Sequence, residues 1–177
     1  MKVIFLDIDG VLNTHDYLIA TQAAQTFDAG GKITRWNHEE DMDRVLVARV
    51  NRIIEATGAK VVISSSWRLL FQLDDIRGFL TSRGFVGEII GETPRYVHKE
   101  DWTSGRIDHR ADEIRAWLRE DGGAVESYVI LDDDHEEIGE SFGDRYVRTD
   151  GDLGLTEELT SRAIDVLQWK EMKVSNA

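Results

Sequence analysis

Short, largely apolar runs divide the chain, and the clearest cover residues 3–6, 60–63 and 128–131. Each run ends abruptly on polar side chains. Runs of this length are typical of strands that are buried on both faces of a parallel sheet. Weaker patterns at residues 85–90 and 145–148 predict two further short strands.

Between these runs, apolar residues recur at helical spacing. The residues that share a face in the first such stretch are Leu46, Val50, Ile53, Ile54 and Thr57. Gly58 follows at the position where a glycine commonly ends a helix. The same spacing predicts helices over residues 69–83, 110–120 and 157–169, the last with Thr156 as its N-cap. Alternating strands and helices predict an α/β fold, a three-layer sandwich around a parallel Rossmann-like sheet.

The sequence shows no internal repeat and no linker, so we expect residues 1–170 to form a single domain. Residues 11–40 are polar and irregular, and they include the turn signal Gly30-Gly31. A stretch of that length is unusual for a plain connection, which predicts a short flap or lid beside the first strand. Residues 171–177 are expected to form a loose tail.

Composition excludes several classes of function. The chain has 177 residues and a formal net charge of −13, and a field of that sign repels nucleic acid and acidic membranes. It contains no cysteine, which excludes disulfides, thiolate catalysis and cysteine-based zinc sites. No apolar run approaches the ~20 residues of a membrane span, and the first strand lacks the apolar segment of a signal peptide. We therefore predict a cytoplasmic protein with no membrane partner.

Three predicted strands end in side chains that suit phosphoryl chemistry. Asp7 and Asp9 follow the first strand, Ser64 follows the second, and Asp132 and Asp133 follow the third. In a parallel sheet these ends lie along one edge, where open α/β sheets bind ligands. Clustered carboxylates repel one another unless they share a proton or a cation, and Mg²⁺ prefers oxygen ligands. The pattern predicts a Mg²⁺-dependent phosphoryl-transfer site.

The same residues resemble the motifs of the haloacid dehalogenase (HAD) superfamily. Residues 7–13, Asp-Ile-Asp-Gly-Val-Leu-Asn, look like its first motif, and Ser64 matches the second. Residues 131–134, Leu-Asp-Asp-Asp, match the acidic fourth motif. Arg110 stands near the start of the preceding helix, where the third motif has a basic residue, usually Lys.

One subgroup is most similar, the small HAD-like domains of Swiss Army Knife RNA-repair proteins. Residues 57–68 and 130–134 carry that similarity, and the resemblance spans residues 2–167. It implies a HAD-like fold with a minimal cap or none, because the insert at residues 11–40 is too short for a large cap domain.

The resemblance also implies a role for each matching residue. Asp7 would be the nucleophile that becomes an aspartyl phosphate. Asp9 would protonate the leaving oxygen and later activate water, while its backbone carbonyl binds the metal. Ser64 would donate a hydrogen bond to the phosphoryl group. The Mg²⁺ site would comprise Asp7, Asp9, Asp132 and Asp133, and whether Asp132 or Asp133 binds the ion directly stays open.

Two arginines compete for the basic position. Arg110 would steady the charge of the phosphoryl group and the aspartyl phosphate, and Arg makes a forked contact with phosphate. Arg68 is the rival, because it follows the second strand closely. Ser65 and Arg68 are accordingly the candidate substrate-binding residues.

The resulting hypothesis is a HAD-type phosphatase that hydrolyses a phosphorylated substrate. Nucleic-acid ends are the leading candidate, because a minimal cap suits bulky substrates and Arg95, Lys99 and Arg106 precede Arg110. Two alternatives stay open: a receiver-like module switched by phosphorylation of an Asp, and a catalytically silent HAD fold that binds a metal or a partner. The sequence leaves the oligomeric state unassigned.

Three tryptophans lie on or beside predicted elements. Trp117 and Trp169 fall at helical spacing, which favours core packing over base stacking. Trp67 lies close beyond Ser64, and core packing is again favoured over a place in the pocket.

Overall fold

The structure is a computed structural model that describes residues 1–23, 38–94, 110–133 and 136–169. Within these residues, parallel strands form one five-stranded sheet. The strands are β1 (Lys2–Leu6), β2 (Lys60–Ile63), β3 (Ile89–Glu92), β4 (Ser127–Asp132) and β5 (Tyr146–Arg148). Their order across the sheet is β3-β2-β1-β4-β5, with every neighbouring pair parallel. The predicted parallel sheet is confirmed, with β1 at its centre.

Alternate side chains of β1 enter hydrophobic cores on opposite faces of the sheet. Ile4 and Leu6 belong to the larger core, and Val3 and Phe5 belong to the smaller one. None of the four has measurable exposure. Successive side chains of a strand point to opposite faces, so a strand covered on both sides requires an uninterrupted apolar run. The three-layer sandwich is therefore confirmed.

Six helices flank the sheet in the described part of the chain. They are α1 (His15–Ala23), α2 (Arg44–Thr57), α3 (Leu73–Ser82), α4 (Arg110–Glu120), α5 (Glu136–Phe142) and α6 (Glu157–Gln168). Helices α2, α3 and α6 contribute buried residues to the larger core, and α4 and α5 contribute to the smaller one.

The predicted helix boundaries at Gly58 and Thr156 are confirmed. Gly58 follows α2 with a φ of 68°, a left-handed conformation that favours a residue without a Cβ. Its N–H donates to the carbonyl of Ile54 at 2.7 Å, which satisfies one of the last carbonyls of the helix. The Thr156 hydroxyl accepts from the N–H of Leu159 at 3.3 Å at the start of α6.

The region after β2 differs from the sequence-based prediction. The helix expected from residue 69 begins at Leu73, after a short 3₁₀ helix over Ser66–Leu69. Leu70, which falls inside the predicted helix, is 77% exposed. The strand expected at residues 85–90 covers Ile89–Glu92 instead. Phe85 is buried, but its N–H donates to the carbonyl of Leu80, so it belongs to the turn that ends α3.

Two helices were not predicted, and one tryptophan was misplaced. Helix α1 lies inside the polar stretch that the sequence indicated as irregular, and α5 follows the acidic run after β4. Trp117 is 5% exposed, as expected for a core residue. Trp169 is 66% exposed, so the prediction that it packs in the core is wrong. It is the residue that follows α6, and its extended backbone no longer continues the apolar face of that helix.

Several predictions fall on residues outside the described ranges. These include residues 24–37 of the predicted flap, the loop that carries Arg95, Lys99 and Arg106, and the tail at residues 171–177. Among the helices that the structure describes, none is long and apolar enough to cross a membrane.

Candidate active site

The carboxyl ends of the three central strands meet at one edge of the sheet. The register pairs Leu6 with Ile63 of β2 and with Leu131 of β4, so the residues that follow these positions lie side by side. The N–H of Asp7 donates to the carbonyl of Leu131 at 3.0 Å, and the N–H of Ser64 donates to the carbonyl of Leu6 at 2.8 Å. The sheet itself therefore places Asp7, Ser64 and Asp132 together, as the sequence predicted.

A cluster of three carboxylates forms at this edge. Asp7, Asp132 and Asp133 each contribute an oxygen, and these oxygens all lie within 4.8 Å of one another. Asp7 and Asp132 are buried, and Asp133 is half-buried. Three acidic oxygens at this spacing fit a hard divalent cation such as Mg²⁺, which also removes the repulsion between them.

Gly10 makes room for this cluster. Its φ is +66°, and a Cβ placed on it would lie 2.1 Å from Oδ2 of Asp133. A side chain at position 10 would therefore displace a carboxylate of the cluster. The turn around Gly10 is closed by the N–H of Leu12, which donates to the carbonyl of Ile8 at 2.8 Å. The glycine of the first motif is thus required both by backbone conformation and by contact.

Arg110 brings a positive charge to the cluster from the first turn of α4. Its Nη1 lies 3.7 Å from Oδ2 of Asp7 and 3.7 Å from Oδ2 of Asp132. Arg110 is 8% exposed, and Nη1 makes no hydrogen bond among the described residues. A buried guanidinium N–H without a partner is available to an anionic ligand.

Arg68 is held by a different partner. Its Nη2 bonds Oε2 of Glu113 and its Nη1 donates to the carbonyl of Ser65 at 2.8 Å. Burial lowers the pKa of Arg68, and Glu113 opposes that shift, so the guanidinium stays charged. Glu113 also lies 3.9 Å from Nε of Arg110. The structure therefore brings Arg110, rather than Arg68, to the carboxylate of Asp7.

The two serines differ in their contacts. Ser64 is 1% exposed, and its hydroxyl has no hydrogen-bond partner among the described residues, so it can donate to a ligand. The Ser65 hydroxyl accepts from the N–H of Trp67 at 3.3 Å and caps the 3₁₀ helix. The Ser65 side chain also forms a hydrogen bond with the carboxylate of Asp7, which works to lower the pKa of that group.

Burial dominates the proton affinity of Asp7. Removal from water raises the pKa of this carboxyl, and the negative charge of Asp9 acts in the same direction. Arg110 opposes the shift most strongly, followed by hydrogen bonds from the Ser65 side chain and the N–H of Ile8. The pKa of Asp7 is raised overall, because these donors do not compensate for lost hydration.

Asp9 does not join the carboxylate cluster. Its Oδ1 accepts from Nδ2 of Asn13 at 3.0 Å, and its Oδ2 accepts from Nε1 of Trp67 at 3.0 Å. The sequence predicted that Asp9 would bind the metal through its backbone carbonyl, and the carboxylate cluster consists of Asp7, Asp132 and Asp133. Any contact between Asp9 and a metal would have to come from its backbone carbonyl, as the resemblance implies.

Two residues of the site, Asn13 and Glu113, were missed by the sequence-based analysis, whereas Trp67 was considered and assigned to the core. Trp67 is 7% exposed, which confirms the core packing, and its indole N–H also donates to Asp9. Asn13 lies four positions after Asp9 in the same turn, so its place in the first motif was the only available signal. Glu113 lies one helical turn after Arg110, a spacing that favours ion pairs but is common on any charged helix.

A cavity of about 740 Å³ adjoins the cluster at Asp133. Its walls include His15, Arg148 and Thr149 together with the acids Asp150 and Glu158. The N–Hε of Arg148 donates to the carbonyl of Asp133 at 3.0 Å. This volume is larger than a phosphate group.

A family model described as "HAD domain in Swiss Army Knife RNA repair proteins" matches residues 3–160. That range includes β1, β2 and β4 and every residue of the site described above. No curated protein and no solved structure matches the chain.

Proposed function

The chain belongs to the family of HAD domains in Swiss Army Knife RNA repair proteins, and from this membership and the site we propose a Mg²⁺-dependent phosphatase. The observation that carries the proposal is the position of Asp7. This buried carboxylate lies within the three-carboxylate cluster and 3.7 Å from Nη1 of Arg110, which makes no hydrogen bond among the described residues. That combination of nucleophile, cation site and anion donor is what phosphoryl transfer requires.

Asp7, Asp132 and Asp133 would hold the ion. When bound, Mg²⁺ supplies positive charge that neutralises the clustered carboxylates and attracts the phosphoryl oxygens. Arg110 supplies a second positive charge beside Asp7, and the Ser64 hydroxyl supplies a neutral donor. Together they bind a phosphoryl group against the carboxylate of Asp7, despite the net charge of −13.

In the first half-reaction, a carboxylate oxygen of Asp7 attacks phosphorus. The bond from phosphorus to the leaving oxygen breaks, and that oxygen keeps the electron pair and takes a proton from Asp9. The product is an aspartyl phosphate on Asp7 and a free alcohol. Arg110 and Ser64 contact the oxygens on which charge accumulates, which favours the transition state.

In the second half-reaction, Asp9 is a carboxylate again and takes a proton from water. The resulting hydroxide oxygen attacks phosphorus, the bond to Asp7 breaks, and inorganic phosphate leaves. Asp7 recovers its carboxylate and Asp9 its proton, so the cycle closes without another reagent.

Nucleic-acid ends are the substrate class that we propose. The RNA-repair context of the family supports a phosphorylated nucleic acid. The cavity beside Asp133 provides room for a nucleoside, while Asp150 and Glu158 in its wall disfavour further phosphates there. A cytoplasmic location remains a prediction from the cysteine-free composition.

Turnover of an aryl phosphate tests the reaction itself. We expect purified protein to release phosphate repeatedly from p-nitrophenyl phosphate with Mg²⁺ and to stop in EDTA. Asp7→Asn should abolish turnover, while Asp74→Asn, which changes an 89% exposed acid on α3, should not. Stoichiometric phosphorylation without turnover would support a receiver-like module, and no reaction would support a silent fold.

A further inference from the structure

Both oxygens of the Asp9 carboxylate are bound by neutral N–H groups. The indole of Trp67 donates to Oδ2 at 3.0 Å, and the amide of Asn13 donates to Oδ1 at 3.0 Å. Two such bonds fix the rotation of the carboxyl group about its last torsion. Because these donors are neutral, they leave the negative charge of Asp9 in place, whereas an arginine or lysine would cancel it.

Asn13 is itself held in place. It is completely buried, and its Oδ1 accepts from the N–H of Gly10 at 3.0 Å. That second bond fixes which end of the amide faces Asp9, because the oxygen is already engaged with Gly10. The turn that shapes the carboxylate cluster therefore also directs a donor at Asp9.

Trp67 is held by packing. It is 7% exposed, and its ring lies 5.5 Å from that of Phe71, 6.2 Å from that of Phe79 and 5.9 Å from that of His38, between centroids. Its backbone N–H donates to the Ser65 hydroxyl. The indole N–H thus points at Asp9 from a rigid wall, since rings packed in this way do not rotate without opening the core.

We infer that Trp67 and Asn13 are positioning residues that hold Asp9 in the orientation needed to transfer a proton to the leaving oxygen. The inference rests on the proposed function. In the step concerned, the bond from phosphorus to the leaving oxygen breaks as the proton moves from Asp9 to that oxygen. The two N–H donors then bind the carboxylate that remains on Asp9, so their contribution grows as the proton leaves.

The consequence depends on the leaving group. An alkoxide needs a proton in order to depart, so hydrolysis of an alkyl phosphate should require a well-positioned Asp9. A nitrophenolate departs without one, so hydrolysis of p-nitrophenyl phosphate should tolerate a displaced Asp9. Loss of a positioning residue should therefore lower kcat for the first substrate and spare it for the second.

Trp67→Phe tests this inference, because it keeps an aromatic ring in the cluster, although a smaller one, and removes the N–H. We expect kcat for an alkyl phosphate to fall by about 10- to 100-fold, a part of the usual range for general acid catalysis. For p-nitrophenyl phosphate we expect less than about a threefold change in kcat, with KM unchanged for both substrates. Phe79→Leu is the matched control, since it disturbs the same ring cluster without touching Asp9, and it should affect both substrates equally.

Asn13→Asp gives a second, independent variant. It preserves the oxygen that accepts from Gly10 and replaces the donor to Asp9 with an acceptor, so the same split between substrates is expected. Equal losses for both substrates in Trp67→Phe or in Asn13→Asp would overturn the positioning role while leaving phosphatase activity established. A wild-type protein that hydrolyses neither substrate would instead refute the proposed function.

The contact itself can be observed without turnover. In ¹⁵N-labelled protein, the indole resonance missing from Trp67→Phe identifies Trp67, and Asp9→Ala should shift that resonance more than the other indole signals. An unmoved resonance would show that Trp67 does not bind Asp9 in solution and would overturn the inference. This measurement also decides the matter if the Asn13 variant does not fold.

Discussion

The Nη1 of Arg110 lies 3.7 Å from Oδ2 of Asp7, and neither atom is more than slightly accessible to water. This distance is longer than a hydrogen bond, so the two charges attract each other, but Nη1 makes no hydrogen bond with any residue that the structure describes. A phosphoryl group bonded to Asp7 would place oxygens within reach of this guanidinium. The pair therefore suits the role that we propose for Asp7, a nucleophile whose carboxylate becomes an acyl phosphate.

We predict that Arg110→Ala lowers kcat for p-nitrophenyl phosphate by about 10²- to 10³-fold, because it removes a buried donor to the developing charge. Arg110→Lys should recover part of that loss, since Lys supplies the charge without the forked geometry. Steady-state kinetics at saturating Mg²⁺ measure both. The matched control is Arg119→Ala, a 67% exposed arginine on the same helix, which should behave as wild type. Activity of Arg110→Ala within tenfold of wild type would assign the basic role elsewhere.

Gly10→Ala should weaken Mg²⁺ binding as well as the fold. The new Cβ would lie 2.1 Å from Oδ2 of Asp133, and the left-handed backbone adds strain of about 1–2 kcal/mol. Gly58→Ala is the matched control, because Gly58 has nearly the same φ but no atom of the described residues lies within 4 Å of the new Cβ. We expect similar strain in both variants and a raised Mg²⁺ half-saturation point only in Gly10→Ala. Equal Mg²⁺ titrations would exclude Asp133 as a ligand.

The raised pKa of Asp7 predicts an effect of pH on the metal-free protein. Because the folded pKa exceeds the unfolded value, Asp7 contributes most to stability below the unfolded pKa, and that contribution is lost as pH rises through the folded pKa. Asp7→Asn removes the ionisation, so in EDTA it should be more stable than wild type at neutral pH, with the difference shrinking on acidification. Urea unfolding of both proteins across pH measures this, and Mg²⁺ should reverse the order. A constant difference across pH would contradict the assignment.

The buried pair Arg68–Glu113 should matter for folding more than for chemistry. Arg68 and Glu113 are 3% and 6% exposed, so removing one partner leaves a buried charge without compensation. We predict that Glu113→Gln lowers the free energy of unfolding by about 3–5 kcal/mol, while Arg68→Met with Glu113→Leu recovers most of it. Urea unfolding of the wild type, of Arg68→Met and Glu113→Leu as single variants, and of the double variant measures the coupling between the two side chains. An additive double variant would show that the two side chains do not act as a pair.

The sequence predicted features that depend on local patterns, and it missed those that depend on contacts between residues far apart in the chain. Asp7, Ser64 and Asp132 were predictable because each directly follows a buried apolar run, and parallel pairing brings such ends together. The contact between Trp67 and Asp9 was not, since it joins residues 58 positions apart through side-chain rotamers. Nor was α1 predictable, because its apolar residues are spread around the helix and form no stripe on one face.

The substrate prediction is the one most open to a direct test. We expect nucleic-acid ends to be hydrolysed faster than free nucleotides, sugar phosphates or phosphopeptides. The reasons are that domains of this family occur in RNA repair proteins and that the basic residues 95, 99 and 106 precede α4. The acidic net charge means that this preference must come from local contacts, so it should decline as salt is added. A panel with 3′- and 5′-phosphorylated oligonucleotides measures kcat/KM at low and moderate salt.

Arg95→Ala with Lys99→Ala should reduce the rate for oligonucleotides and leave the rate for p-nitrophenyl phosphate unchanged, whereas Arg119→Ala should change neither rate. A preference for small phosphates that is unaffected by the double variant would refute the nucleic-acid substrate and leave the phosphatase intact.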